Sequence, residues 1–325
     1  MFTSKDIETK TVFVVNCLQH ERCLRVSNGE LLLEENEAGT VKKLTKFPFQ
    51  KILALFIIGH ITVTTPLMDK CKKFGVALIV VKPNLRPVFY WFDTAEGNYL
   101  LRQRQHRMYK DDLSVARVLV FNKIANQLSC LVKTRKKDDV TKTAVEQCKQ
   151  ALTIVGNIED YFSLLGLEGS VSKSFFEAYF AKFEWRGRRP RTKCDILNST
   201  LDMGYTVLFN FIECFARMFG FDVYVGVYHR LWFKRKSLIC DLVEPFRCII
   251  DHAVLLAFNR RQFTENDFEV EKSVYKLKRE RVHIYYNVFC SALINRKVDI
   301  FKYMQAYYRC FMGNKPIECY PKFVL

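Results

Sequence analysis

The chain has 325 residues, 49% of them hydrophobic and 14% aromatic, which excludes a disordered chain and suffices for one large or two ordinary domains. Fifty-one Lys and Arg against thirty-four Asp and Glu give a formal charge of +17, which points to a polyanionic partner, nucleic acid before an anionic membrane surface. No apolar run approaches the roughly 20 residues of a spanning helix, and the opening MFTSKDIETK lacks a signal-peptide core, so a cytoplasmic protein with no membrane partner is expected.

Residues 11 to 92 read as β structure. KTVFVV comes first, then CLRV and ELLL around Ser27, Asn28 and Gly29, where Asn-Gly is a strong hairpin signal. KILALFII, a turn at Gly59 and HITVT follow. Thr65 before Pro66 predicts a helix start, with Thr as the cap, for the short helix PLMDKCKKF, which ends at Gly75. VALIVV and PVFYWF complete a small, mostly β domain over residues 1–92.

The polar stretch DTAEGN at 93–98 marks a composition shift, and residues 93–104 read as a linker. From there apolar residues recur at intervals of three and four, the period of a helix. LSVARVLVFNKIANQLSCLVK, VEQCKQALTIVGNIEDYFSLLGLEG, VSKSFFEAYFAKF, ILNSTLDMGYTVLFNFIECFARMFG and residues 237–260 are the predicted helices, and residues 105–325 form a larger all-α domain. The fold class is therefore two-domain α+β. The charged run KTRKKDD reads as a solvated interhelix loop. The twelve cysteines include no C-x-x-C pair and lie mostly in apolar contexts, which predicts buried, reduced thiols and no zinc site.

Three stretches carry residues capable of chemistry. In SLICDLVEPFR, Ser237 is a capping-type residue, and a helix after it sets Asp241 and Glu244 three positions apart on one face, with Arg247 next. This spacing suits either a surface carboxylate–arginine network or a divalent-metal site. His229 lies just upstream, after the glycine turn in FDVYVGVYH. Glu168, in LLGLEGSVSKSFF, sits between two glycines at a predicted junction of helices, framed by Leu164, Leu165 and Leu167; it reads as a helix N-terminal charge partner or as a ligand. The loop WRGRRPRTK carries Arg186, Arg188, Arg189, Arg191 and Lys193 around Pro190 and reads as either a solvated basic loop or a phosphate-binding one. A second run, Arg230, Lys234, Arg235 and Lys236, favours a nucleic-acid track.

Taken in order, L-G-L-E-G-S-V-S-K-S-F-F at 165–176, R-R-P-R-T-K-C-D-I-L-N-S-T-L-D-M-G-Y at 188–205, G-V-Y-H at 226–229 and S-L-I-C-D-L-V-E-P-F-R at 237–247 resemble the CRISPR spacer-acquisition integrases, the Cas one family. N-Y-L-L-R-Q-R-Q-H at 98–106 and A-R-V-L-V-F-N-K-I-A-N-Q at 116–127 are similar to the family's entry into its helical domain. The resemblance implies a metal triad on Glu168, His229 and Glu244, with Asp241 as a neighbouring group that orients His229 or a metal-bound water, and Mg²⁺ or Mn²⁺ as the ion. It implies strand transfer, in which the 3′-hydroxyl of a short spacer DNA attacks a phosphodiester at a CRISPR repeat. The alternative is a metal-dependent nuclease acting on branched or repair DNA. Tyr205 and Arg247 join the basic residues as expected DNA contacts. Further implied are a homodimer formed through the β domain, a small partner subunit, Cas two, and a role for the exposed segment PIECYPKFVL in joining them.

Overall fold

The structure, a computed structural model, describes residues 3–18, 20–37, 40–83, 87–91, 97–108, 112–135, 138–183, 185 and 187–325. A short helix, α1 (Ser4–Thr9), starts under a capping box in which Thr3 and Asp6 satisfy each other's backbone N–H groups. The strands follow as β1 (Thr11–Cys17), β2 (Glu21–Ser27), β3 (Glu30–Glu37), β4 (Thr40–Phe47) and β5 (Ile52–Gly59). Helix α2 (Thr65–Phe74) leads to β6 (Ala77–Val81) and β7 (Pro87–Trp91).

Two sheets result. One has the order β1-β5-β6-β7, parallel except for β7, and the other is the antiparallel meander β2-β3-β4. The run ILALFIIG is apolar throughout because β5 is flanked by strands on both sides and covered on both faces, so every one of its residues is buried. Its alternating side chains serve two layers. Ala54, Phe56 and Ile58 join Ile79 and Val81 against the helices. Ile52, Leu55 and Ile57 pack with Leu24, Leu31 and Leu33 of the second sheet and with Leu67 and Cys71 of α2.

The Asn28–Gly29 hairpin forms as the sequence predicts: both residues have positive φ, 51° and 80°, and Ser27 pairs with Glu30. Gly75 closes α2 in the left-handed region at φ 61°. Two local expectations differ, and one strand was not named from the sequence. HITVT is not a strand: residues 60–64 join no ladder and lead from β5 straight into α2. Thr64, not Thr65, is the α2 cap. TVKKLTKF, almost entirely exposed, is the outer strand β4, whose lysines suit an edge.

The helical part runs α3 (Tyr99–Met108), α4 (Ser114–Val132), α5 (Asp139–Ile154), α6 (Tyr161–Tyr179), α7 (Ile196–Met218), α8 (Ser237–Leu242), α9 (Arg247–Asn259), α10 (Val282–Ile294) and α11 (Lys297–Gly313). Residues 92–96, where the predicted linker begins, lie outside the described residues, and α3 already covers the linker's end. A two-stranded hairpin, β8 (Phe268–Glu271) with β9 (Val274–Leu277), interrupts the helices. All twelve cysteines are free thiols. The long apolar helix α4 has the length and composition of a membrane-crossing helix. Yet its inner face carries Asn122, Lys123, Asn126 and Gln127, all buried inside the protein, which accounts for it as a core helix.

Candidate active site

Helix α6 is continuous through Gly166 and Gly169, so Glu168 lies within a helix and not at a junction. The break falls earlier: Asp160 caps the new helix by accepting the Ser163 N–H at 2.7 Å. Two glycines cost a helix about 1 kcal/mol each, but Leu164, Val171 and Phe175 are buried in the main core and hold the segment helical.

Glu168 projects toward α4. Its Oε1 accepts from Ser172 Oγ at 3.1 Å and forms a direct ion pair with Lys123. Lys123 also reaches Glu244 Oε2 at 2.8 Å, so one ammonium joins the two carboxylates. Arg247 grips Glu244 from the other side through Nε at 2.8 Å and Nη2 at 2.9 Å. Burial opposes ionisation of Glu244, but Arg247 and Lys123 outweigh it and hold the carboxyl down at about 2. Burial likewise disfavours a charged Lys123, and Glu168 and Glu244 reverse that, raising it above the ordinary lysine value.

The polypeptide from 237 to 259 is not one helix. Pro245 stands in a 3-10 turn, Glu244–Phe246, between α8 and α9, and this aims Asp241 and Glu244 at different partners. Ser237 is the first residue of α8 and not its cap; its hydroxyl donates to Arg230 O at 3.1 Å. Asp241 is fully buried. Its Oδ2 accepts the N–H groups of Val227 and Tyr228 at 2.6 and 3.1 Å, and its Oδ1 accepts both the N–H and the ring Nδ1–H of His229. Gly226 makes the wrap possible, since a Cβ there would stand 2.5 Å from Asp241 Oδ2. With the Nδ1–H committed to Asp241, Nε2 presents the ring's lone pair outward, as an acceptor or a metal ligand.

His229 lies within electrostatic reach of Glu244, and the buried Tyr228 hydroxyl lies in the field of both Glu168 and Glu244. That hydroxyl has no hydrogen-bond partner among the described residues. Among the described residues no group of three or more His, Cys, Asp or Glu side chains is set close enough to hold a metal ion. In the geometry seen, Lys123 is the cation between the carboxylates.

The basic residues divide by what they touch. Arg188 bonds Asn198 Oδ1 at 2.9 Å and Asp202 Oδ1 at 2.5 Å, fixing the 187–195 loop to α7. Arg189 and Arg191 contribute backbone N–H groups to the same two α7 residues, while their side chains sit on exposed positions. Arg191 and Lys193 adopt positive φ, 66° and 51°. Arg186 lies outside the described residues. Lys236 is paired with the buried Glu213 at 2.7 Å, whereas Arg230 and Lys234 are exposed and Arg235 is half-buried. Tyr205 lies under two guanidinium groups, Arg247 at 4.7 Å and Arg188 at 5.4 Å from its ring, and its hydroxyl donates to Asp251.

Lys123 is the site residue that the sequence reading passed over. The signal was there: a lysine three residues after Val120 and beside Ile124, on the apolar stripe of α4, must have a charged partner. The segment PIECYPKFVL also departs from expectation. Tyr320 and Phe323 are buried, and the Phe323 backbone exchanges hydrogen bonds of 2.7 Å with the Asn122 amide, one position from Lys123. Its backbone is thus engaged by the chain's own α4.

Comparison with known proteins gives the same outline. The chain is 30% identical over 280 residues to "CRISPR-associated endonuclease Cas1 3" of Thermus thermophilus, covering 83% of this chain and 81% of the relative. It is 27% identical over 271 residues to "CRISPR-associated endonuclease Cas1 1" of Chlorobaculum tepidum, covering 76% and 78%. Among solved structures it matches a casposase bound to integration product with a TM-score of 0.77 at 18% identity, covering 96% of this chain and 94% of that one. A CAS1 protein from Thermotoga maritima matches with a TM-score of 0.73 at 17% identity, covering 94% and 97%. The Cas6-RT-Cas1–Cas2 complex matches at 0.77 and 19% identity over 97% of this chain, which spans 36% of that longer polypeptide. The family described as "CRISPR associated protein Cas1" matches residues 16–289, and the chain belongs to that family.

Proposed function

We propose that this protein is a DNA integrase of CRISPR adaptation, joining the 3′-hydroxyl end of a short spacer DNA to a phosphodiester at a CRISPR repeat. The observation that supports the reading is that Lys123 joins Glu168 to Glu244 while His229, its ring fixed by Asp241, lies within electrostatic reach of Glu244, beside exposed basic loops. The likeness to a casposase bound to integration product supports joining as the outcome. The names of the relatives, CRISPR-associated endonucleases, support a second reading, hydrolysis of branched or repair DNA at the same site.

Two carboxylates and an imidazole Nε2 suit a hard divalent ion, Mg²⁺ or Mn²⁺, and the unpartnered Tyr228 hydroxyl fits a hydrated ion or phosphate beside them. Glu168, His229 and Glu244 would hold it. When bound, such an ion supplies charge stabilisation at the scissile phosphate. The chain's own groups do the rest. Asp241 keeps His229 in one tautomer and one orientation. Arg247 keeps Glu244 ionised and aimed. Lys123 offsets the carboxylate charge, so that a phosphate can approach two anions. The exposed Arg189, Arg191, Arg230 and Lys234 hold the DNA backbone without reading sequence.

The partners inferred are double-stranded DNA, both prespacer and repeat, a second copy of the chain through the β half, and the small Cas2 subunit. The Cas6-RT-Cas1–Cas2 complex supports the last. The products discriminate between the two readings: joining of a labelled donor to a repeat-bearing plasmid gives a branched strand, and hydrolysis gives only shorter strands.

A further inference from the structure

Helix α4 turns a polar edge toward the site, where Asn122, Lys123 and Asn126 are all buried. Lys123 is accounted for by Glu168 and Glu244. Asn126 serves two other segments. Its Nδ2 donates to Pro245 O at 2.9 Å and to Phe323 O at 3.1 Å, and its Oδ1 accepts the Leu325 N–H at 3.1 Å. Both amide hydrogens and the carbonyl are thereby used, and a flipped amide would set its oxygen against two carbonyl oxygens. The side chain has one allowed orientation.

That orientation bears on Glu244. Glu244 stands in the 3-10 turn between α8 and α9, so no continuous helix sets its height above α4. The carbonyl that Asn126 holds belongs to the next residue, Pro245, while Lys123, about one helical turn earlier on α4, pairs with the Glu244 carboxylate. The turn is thus gripped by α4 through its backbone and through its side chain.

Residues 320–325 close over this arrangement as a strap. The Phe323 N–H donates to Asn122 Oδ1 and its carbonyl accepts from Asn122 Nδ2, both at 2.7 Å. The Phe323 ring packs on Phe246, the last residue of the turn, with centroids 4.8 Å apart. Further out, Arg296 bonds Val324 O and Lys133 Nζ reaches Leu325 O at 2.9 Å. An apolar face on α4 would cover Phe323 as well. What buried carboxamides add is register, a single placement of strap and turn against the helix.

We propose that Asn126 is a positioning residue for Glu244, and that the strap, by occupying the rest of its amide, fixes Asn126 for that task. The inference rests on the reading of Glu244 as a ligand in the DNA-joining site and adds the groups that place its carboxylate. Removing a group that orients a ligand changes metal affinity or activity by about 10–100-fold.

The test follows the Mn²⁺ concentration that half-saturates two responses, the rise in melting temperature without DNA and the rate of donor joining. Asn126→Leu keeps the size and branching of the side chain and removes its hydrogen bonds, and Phe323→Ala takes the ring off Phe246. Both are expected to raise the Mn²⁺ requirement in both responses, Asn126→Leu by about tenfold or more, with duplex affinity unchanged. Lys322→Ala, at an exposed strap position, and Leu55→Ala, in the core between the two sheets, should keep the wild-type Mn²⁺ requirement whatever they do to the melting temperature. If Asn126→Leu does not fold, Phe323→Ala decides. Lower melting temperatures with an unchanged Mn²⁺ requirement in Asn126→Leu and Phe323→Ala make the clamp structural alone and overturn the proposal, leaving the DNA-joining reading standing. No Mn²⁺ response of either kind in the wild type overturns the ligand reading of Glu244 together with the proposal.

Discussion

His229 and Asp241 are joined twice through one oxygen, the backbone N–H at 2.8 Å and the ring Nδ1–H at 2.6 Å both donating to Asp241 Oδ1. The second oxygen takes two further backbone N–H groups, so this buried carboxylate shapes the loop as well as the ring. Every group facing it is a donor. In Asp241→Asn the new NH₂ must confront N–H donors whichever way it turns, a loss of about 1–3 kcal/mol. Equilibrium unfolding should show that loss, and strand joining should fall with it. Gly226→Ala, which drives a Cβ into Asp241 Oδ2, is expected to lower both in the same way. Unchanged stability in both variants would contradict the account.

Lys123 separates two carboxylates in a buried setting. Lys123→Met leaves Glu168 without its cation and Glu244 with Arg247 alone, and breaking such a buried pair costs about 3–5 kcal/mol. A divalent ion between the carboxylates would then replace the positive charge that Lys123 supplied. Mn²⁺ should raise the melting temperature of the variant more than that of the wild type, as calorimetry would show. A variant indifferent to Mn²⁺ would count against Glu168 and Glu244 as ligands.

Asp251, under Tyr205, sets a pH dependence. Burial pushes its carboxyl up to about 6, against the opposing pull of Tyr205, Arg247 and Arg188, from an ordinary value of 3.8. The folded state therefore holds this proton more tightly than the unfolded one. The stabilisation is complete below 3.8 and is lost as pH rises through about 6, a change of ~3 kcal/mol. Asp251→Asn should remove that slope, so the stability difference between wild type and variant should shift by about that amount between roughly pH 4 and pH 7. Glu244 acts at the other end, its contribution being lost as pH falls from 4.5 toward about 2. Parallel stability curves for wild type and D251N would contradict the assignment.

The basic loop should separate into two kinds of arginine. Replacing Arg189 and Arg191 together with Ala should weaken binding to any duplex and reduce the salt slope by about 2. Arg188→Ala breaks the pairs with Asn198 and Asp202 and should instead lower the melting temperature. An unaltered salt slope in R189A/R191A would remove those two residues from the DNA track.

Much of the fold was legible in the residues themselves. The change from strand to helix period near residue 98, the Asn28–Gly29 hairpin and the Gly75 stop each rest on local chemistry that the chain then obeys. What was not legible depends on neighbours. HITVT has strand residues but joins no ladder, and β4 has an edge but no apolar face to announce it. Gly166 and Gly169 suggested a break that the packing of Val171 and Phe175 overrides. At the site, Glu168, His229, Asp241 and Glu244 could be named in order, but the cation that joins two of them sits on α4, 45 residues before Glu168. Only the folded chain reveals which carboxylates Lys123 serves.

The most direct measurement follows a labelled donor duplex and a repeat-bearing plasmid with Mg²⁺ or Mn²⁺ and the Cas2 subunit, for the wild type and for Glu168→Ala, His229→Ala and Glu244→Ala. The wild type should yield the branched joined product, each variant should lose at least ~100-fold in rate, and duplex binding should survive in all of them. Joining at the wild-type rate in any of the three variants, or shortened strands with no joined product from the wild type, would contradict the account.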